Sequence, residues 1–271
     1  MVRNNKPIIA LLTDFGIRDW FVASMKAVIK TILPDSDIID VSHEMPRQDV
    51  YAASFALESC YRDFPRDTVF CCVVDPGVGT SRRRIAATNQ AYTFIAPDNG
   101  LLTGVKSQSE TFSCFSITSS EVLRSGPGTT FDGRDVFAPA AAHAAAGMDI
   151  HNMGDACDEI RALEQYEAEG ADEGNIEGRI LYIDYFGNLI TNITPDHLSG
   201  KAETRIHVKV GSRDVKGLSG GYADTAPGEA LAYWGSTGRL EIAVNRGNAA
   251  ETLNMSCGDS VIALLPDDLK K

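Results

Sequence analysis

The first half of the chain alternates short apolar runs with segments whose apolar residues recur every three or four positions. "PIIALLTD" (Pro7 to Asp14) is an apolar run that stops at an aspartate, and "DWFVASMKAVIKTIL" (Asp19 to Leu33) has helical spacing and ends at Pro34. "DSDIIDVSHE" reads as a second strand, and "DVYAASFALESCYRDF" as a second helix closed by Pro65. "DTVFCCVVDPGVG" and "AYTFIAPDNG" read as the third and fourth strands. Apolar strands that alternate with helices predict a mostly parallel sheet flanked by helices, an α/β domain.

The pattern changes after the acidic, glycine-bearing stretch "ADEGNIEG". Five strand-like segments follow: "GRILYIDYFG", "NLITNI", "TRIHVKV", "RLEIAVN" and "SVIALL". Turns rich in Gly, Ser, Asn and Pro separate them, and no long helical pattern intervenes. The expectation is an all-β, barrel-like C-terminal domain. The boundaries read as 1–165 for the α/β domain and 175–271 for the barrel, with a linker at about 166–174.

Composition narrows the function classes. The chain has 271 residues, is 44% hydrophobic and 23% charged, and carries a formal net charge of -12. That acidity disfavours nucleic acid as a partner. Every apolar stretch falls short of the ~20 residues needed to span a bilayer, so no membrane partner is expected. The N-terminus lacks the apolar core and cleavage site of a signal peptide, which makes a cytoplasmic location the expectation. Six cysteines without a C-x-x-C pair read as reduced, mostly buried thiols. Five scattered histidines give no zinc-site spacing.

The chemistry concentrates where apolar runs end. Asp14-Phe15-Gly16, Asp75-Pro76-Gly77 and Asp98-Asn99-Gly100 share one pattern, an aspartate followed by a turn. Ligands bind beyond the carboxyl ends of parallel strands, so these carboxylates are expected to line one crevice suited to a polar or cationic ligand. A solvated turn aspartate is the plain alternative for any one of them. "DPGVGTSRRR" lacks both the third glycine of a dinucleotide fingerprint and the Gly-Lys-Ser/Thr of a P-loop. Arg82, Arg83 and Arg84 offer anion contacts, but strand alternation points Arg82 and Arg84 away from Arg83, so only part of the run faces a site. No G-x-S-x-G elbow is present. What remains is general-base or positioning chemistry by carboxylates. "TFDGRD" (Thr130 to Asp135) then sets three charges around Gly133 just before an alanine-rich helix, where the glycine is expected to leave room for a ligand.

In order along the chain, "LLTDFG", "VVDPGVGTSRR", "APDNGLLT", "TFDGRDVFAPAAA", "DYFGNLITN" and "GSTGRLEIAVNRGNAAE" cover almost its whole length. Together they resemble the S-adenosyl-L-methionine hydrolases, or SAM hydroxide adenosyltransferases, relatives of the fluorinating and chlorinating enzymes. The resemblance implies an N-terminal α/β domain and a C-terminal β-barrel. It implies a homotrimer with active sites at subunit interfaces, and attack of water on the ribose 5′ carbon to give adenosine and methionine. No metal or organic cofactor is implied.

Carried over by motif, the resemblance makes Asp75, Arg82 and Asp132 the catalytic set. Asp14 is then the ligand of the ribose hydroxyls, Phe186 the stacking partner of adenine and Asn188 its hydrogen-bonding edge. Asp184 meets the methionine ammonium and Ser236 its carboxylate. Backbone groups around Asn245 and Arg246 reach the exocyclic amine. A carboxylate at Asp75 repels halide and orients water, so water is the expected nucleophile.

The sequence departs from the family in one place. Members of the hydrolase branch carry histidine in "TFHGRD", where this chain has Asp132. Histidine both donates and accepts, whereas an ionised aspartate only accepts. Asp132 is expected to pair with Arg82 or Arg134 and leave an active enzyme. The alternatives are a protein that binds adenosine or S-adenosylmethionine with weak or no turnover, and a different substrate or nucleophile. A nucleoside-binding regulator would use the same Asp14, Phe186 and Asn188. A phosphoesterase has only the arginine run in its favour.

Overall fold

A computed structural model of the protein describes residues 6–125, 130–170, 175–198 and 206–264. The chain divides into two compact units, Met1–Leu163 and Glu164–Lys271.

The first unit contains β1 (Ile8–Thr13), α1 (Phe21–Ile32), β2 (Asp37–Ser42), α2 (Val50–Cys60), β3 (Val69–Val73), β4 (Arg84–Thr88), β5 (Thr93–Pro97), α3 (Thr103–Ser107), β6 (Ser113–Ser116) and α4 (Ala138–Ala145). Its sheet has the order β2-β1-β3-β5-β4-β6. The central strands β1, β3 and β5 are mostly apolar because both faces are covered, whereas the edge strand β2 keeps Asp37 and Asp40 exposed. Ile9, Leu11, Cys71 and Val73 pack on one face with Met25, Ile29 and the alanines of α4. Ala10, Leu12, Phe70 and Cys72 pack on the other with Val50, Ala53 and Leu57 of α2. Each such buried Leu, Ile or Phe contributes about 1.5–3 kcal/mol. α1 buries Val22, Met25, Val28 and Ile29 along one stripe, and Lys30 sits in its last turn, where a cation meets the negative end of the helix dipole. Asp49 caps α2 by accepting from the Ala52 amide at 2.9 Å.

The sheet is mixed, which corrects the expectation of a mostly parallel one. β2, β1, β3 and β5 pair in parallel, but β4 runs antiparallel to β5 and β6. The cause is the tight turn after β4. Asn89 Oδ1 accepts from the amides of Ala91 and Tyr92, and Gln90 takes a φ of 68°. That reversal makes β4 and β5 a hairpin. It also starts β4 at the same edge of the sheet where β3 ends.

The second unit contains β7 (Glu169–Gly170), β8 (Ile176–Ile183), β9 (Leu189–Thr191), β10 (His207–Val210), β11 (Arg213–Lys216), β12 (Ala230–Trp234), β13 (Leu240–Val244), α5 (Ala249–Leu253) and β14 (Ser260–Leu264). The strands pair antiparallel in the order β11-β10-β14-β8-β9-β13-β12, with β7 on β8. The sheet curls until it is nearly closed: the Ser219 amide, just past β11, donates to the Ala232 carbonyl of β12 at 2.8 Å. Ile176, Ile180, Val208, Val210, Ile242 and Val261 fill the interior. β10 shows the alternation plainly, with Val208 and Val210 buried and His207 and Lys209 exposed.

Within the segment read as a linker, Tyr166 is buried and β7 pairs with β8. Ala171 to Gly174 lie outside the described residues, as do Thr204 and Arg205 of "TRIHVKV" and Leu265 of "SVIALL". None of the six cysteines is in a disulfide, with Cys71 and Cys72 buried on opposite faces of β3 and Cys257 exposed. No helix among the described residues is long and apolar enough to cross a membrane.

Candidate active site

β1 and β3 are parallel neighbours with Thr13 opposite Val73. The chain leaves both strands at the same end of the sheet, which brings Asp14, one residue past Thr13, and Asp75, two past Val73, to one crevice. A π-helical turn, Gly133–Phe137, leads into α4 and delivers Asp132 to the same place. Together with Phe15, Phe21 and Phe131, these three carboxylates line a cleft of about 310 Å³. Gly133 lines the same cleft, and its missing side chain lets the cleft's own aromatics close around it. A Cβ there would meet Phe15, Met25 and Phe131 at 3.1–3.2 Å.

The charges form an alternating chain. Asp75 Oδ1 accepts from Arg82 Nε at 2.9 Å and from the Gly77 amide at 3.2 Å, and Asp75 Oδ2 accepts from Arg82 Nη2. The same Nη2 donates to Asp132 Oδ2 at 2.6 Å. Arg84 clamps Asp132 bidentately, with Nε on Oδ2 and Nη2 on Oδ1, both at 3.0 Å. The side chains of Asp75, Arg82 and Asp132 are only 4%, 9% and 6% exposed. Burial acts to lower the Arg82 pKa, but the hydrogen bonds and charges of Asp75 and Asp132 outweigh it and hold the guanidinium above its ordinary value.

Of the two partners expected for Asp132, Arg82 is the one it has; Arg134 pairs bidentately with Asp135 at 2.7 and 2.8 Å. One expectation is revised here. Asp98 does not line the cleft. It is buried, accepting from Arg83 Nε and from the Arg161 amide, both at 2.8 Å. The alternation of the arginine run does hold, since Arg82 and Arg84 meet Asp132 while Arg83 turns to Asp98.

The loop that carries Asp14 is braced from behind. Asp14 Oδ2 accepts from the Gln48 amide at 2.8 Å. Thr13 Oγ1 lies 2.8 Å from His43 Nδ1, whose Nε2 lies 3.0 Å from Asp40.

In the second unit the β8–β9 turn carries "DYFGN". Asp184 Oδ1 accepts from the amides of Phe186 and Asn188 at 2.9 and 2.8 Å, and Oδ2 accepts from Asn188 Nδ2 at 2.8 Å. Asp184 thus shapes the turn from inside it. Gly187 has φ +84°, and a Cβ there would fall 2.1 Å from Asn248 Oδ1, so both conformation and space demand glycine. The turn holds Phe186 out at 73% exposure. Phe186, Asn188, Tyr222, Val244, Arg246 and Asn248 line a pocket of about 470 Å³.

Phe186, Asn188 and Arg246 therefore come together in one pocket. Asn245 and Ser236 are not among its lining residues: the Asn245 side chain donates to the Thr225 carbonyl at 2.7 Å, which leaves its backbone role open, and Ser236 is exposed on the turn between β12 and β13. Sequence reasoning missed Tyr222, whose hydroxyl lies 2.9 Å from that of Tyr233; Tyr233 in turn donates to Glu241 Oε2 at 2.7 Å. Glu241 is buried, and its pKa is raised. Burial is the main cause and the Asp184 charge adds to it, against a lowering hydrogen bond from Tyr233. It also missed Arg47 and Gln48 at the first cleft, and the pairing of Arg84 with Asp132. No local pattern marks these residues. Among the described residues no group of three or more His, Cys, Asp or Glu could hold a metal ion.

Comparison with known proteins bears on what such carboxylates and pockets serve. The model of the SAM hydroxide adenosyltransferase N-terminal domain matches residues 9–154, and that of the C-terminal domain matches residues 178–262. The chain belongs to the SAM hydroxide adenosyltransferase family. Its relatives include the (R)-S-adenosyl-L-methionine hydrolase of Thermus thermophilus, 37% identical over 91% of this chain and 95% of that one. The corresponding hydrolase of Salinispora tropica is 34% identical over 93% and 96%. A fluorinase of Nocardia brasiliensis is 32% identical over 94% and 96%, so the family spans two named activities. Among solved structures, an uncharacterized conserved protein from Thermotoga maritima matches with a TM-score of 0.86 and 38% identity, over 95% of this chain and all of that one.

Proposed function

We propose that the chain hydrolyses S-adenosyl-L-methionine to adenosine and L-methionine by attack of water at the ribose 5′ carbon. The observation that carries this reading is Asp75. Its carboxylate stands at the cleft with Arg82 and the Gly77 amide on its inner side. Oδ2 keeps a lone pair for a water molecule, and a negative group there opposes a halide. The hydrolase names of the relatives point the same way.

The reaction asks little of the protein beyond alignment and a proton acceptor. Water oxygen bonds to C5′ as the C5′–S bond breaks. The bonding pair leaves on sulfur, giving the neutral thioether of methionine, and the water proton passes to Asp75 and then to solvent. No acid is needed to expel the leaving group. The sulfonium charge shrinks on the way to the transition state and is gone in the product, so a bare carboxylate beside sulfur would stabilise the ground state more. Arg82 offsets that by neutralising Asp75 while leaving it a proton acceptor.

In this reading Asp75, Arg82 and Asp132 are the catalytic set, and Asp14 accepts from the ribose hydroxyls. Phe186 stacks on adenine, and Asn188 and the backbone near Asn245 and Arg246 bond its edge. Asp184 and Ser236 face the methionine ammonium and carboxylate. Asp184 already accepts three bonds within its own turn, so its contact with the ammonium uses a remaining lone pair. The working form is a cytoplasmic homotrimer, with the first unit of one copy and the second unit of the next enclosing each substrate.

Incubating the purified protein with S-adenosylmethionine tests this reading. Adenosine and methionine should appear in equal amounts. Retention of the ligand without adenosine would replace it with the binding-protein alternative.

A further inference from the structure

We infer that Arg84 is a positioning residue of the reaction: it joins Asp132 in one neutral unit that holds Arg82 against Asp75. The inference rests on the hydrolase reading and assigns a task to a residue outside the motif-matched catalytic set. Asp132 lies where a both-ways hydrogen-bonding histidine is expected, yet three of its four lone-pair sites are taken, all by guanidinium donors. Oδ1 accepts from Arg84 Nη2, and Oδ2 accepts from Arg84 Nε and Arg82 Nη2. Two guanidiniums hold Asp132 where one holds Asp75, so Asp75 is the better placed of the two to take a proton from water. Its work is to anchor Arg82, and Arg84 supplies the charge that lets a second carboxylate sit there.

The fold explains why Arg84 reaches the site. It is the first residue of β4, opposite Pro97 at the end of β5, so the hairpin sets it at the edge where β3 releases Asp75. Alternation puts Arg82 and Arg84 on the same side. The pair is more than a surface ion pair, because the Arg84 side chain is 34% exposed but Asp132 is 6% exposed and held by both oxygens.

Charge counting gives the consequence. Asp75, Asp132, Arg82 and Arg84 sum to zero. Without Arg84 the cluster is two buried carboxylates sharing one guanidinium, an arrangement that takes up a proton more readily. The neighbouring charges do not replace it. Asp14 and Arg47 lie on the cleft rim, Arg134 and Asp135 close on each other, and Lys26 of α1 is tied to Asp40.

Adenosine release from S-adenosylmethionine by the full chain, measured across pH, tests the inference. Arg84→Met should lower kcat at least about 10-fold and leave KM within about threefold. It should also move the acidic limb of the pH profile upward by about one unit. Arg84→Lys restores the charge but not the fork, so the limb should return while kcat stays low. Asp132→His removes the carboxylate that needs Arg84. In that background Arg84→Met should cost little, and the two changes should be strongly coupled. An unmoved limb in Arg84→Met, or equal costs of Arg84→Met in both backgrounds, would overturn the inference.

Infrared difference spectra give a readout independent of turnover. The carbonyl stretch of a protonated carboxylic acid should appear at higher pH in Arg84→Met than in the wild type. Coincident titrations would count against the inference. A wild-type protein that makes no adenosine would sink the hydrolase reading while leaving this spectroscopic test standing.

Discussion

Replacing Asp75 by Asn keeps the shape of the side chain and removes its charge. Asp75 accepts three hydrogen bonds, two of them from Arg82. The amide offers one oxygen, and its nitrogen would face an Arg82 donor. One charge-assisted bond is lost, at a cost of about 1.5–3 kcal/mol. Arg82 keeps Asp132, so the larger penalty of about 3–5 kcal/mol for stranding a buried charge is avoided. Folding stability should fall by about 2 kcal/mol, which corresponds to about 4–8 °C in Tm for a chain of this size.

The effect on rate should be larger. Loss of a general base costs about 10²- to 10⁴-fold, or about 3–5 kcal/mol of activation free energy. Adenosine affinity should hold within about threefold, because the stacking pocket lies on other residues. The assays are initial rates of adenosine formation, calorimetric titration with adenosine, and thermal denaturation. A kcat within threefold of wild type would remove Asp75 from the proton path. A loss of adenosine affinity as large as the loss of rate would make it a ligand contact instead.

Two further outcomes are expected. Phe186→Ala should weaken adenosine binding by about 1–3 kcal/mol, the worth of an aromatic ring on a base, as read by calorimetry; an unchanged Kd would mean the ring does not stack. Glu241 holds its proton more tightly folded than unfolded, so its contribution to stability is full at acid pH and falls as pH rises through the raised value. Glu241→Gln should therefore match wild type in Tm near about pH 4 and exceed it near about pH 8. A gap that does not change with pH would contradict this.

Much of the first cleft was legible because its signals are local. An apolar run ending in aspartate locates a strand and its ligand-facing end at once, which placed Asp14 and Asp75. Period-two alternation sorted Arg82 and Arg84 from Arg83. Asp98 obeyed the same local pattern and still became structural, because Arg83 and the Arg161 amide reach it from segments that no local rule connects. β4 was missed because five residues between an arginine run and a tight turn carry too little period. The mixed sheet follows from that one hairpin.

The second unit shows the same division. Phe186 was legible as a candidate in its motif, but its exposure and the demand for glycine at Gly187 come from the turn that Asp184 and Asn248 shape. The line from Tyr222 through Tyr233 to Glu241 depends on how β12 and β13 pair, and the sequence pattern does not encode it. Arg84 and Asp132 stand 48 residues apart. The histidine-to-aspartate departure was visible in the motif, but the residue that compensates for it was not.

The proposed reaction makes one demand on the fate of the water oxygen. Turnover of S-adenosylmethionine in ¹⁸O-labelled water, followed by mass spectrometry of both products, reads it directly. Attack at C5′ predicts one heavy oxygen in adenosine and none in methionine. Unlabelled adenosine, or no adenosine at all, would contradict the account.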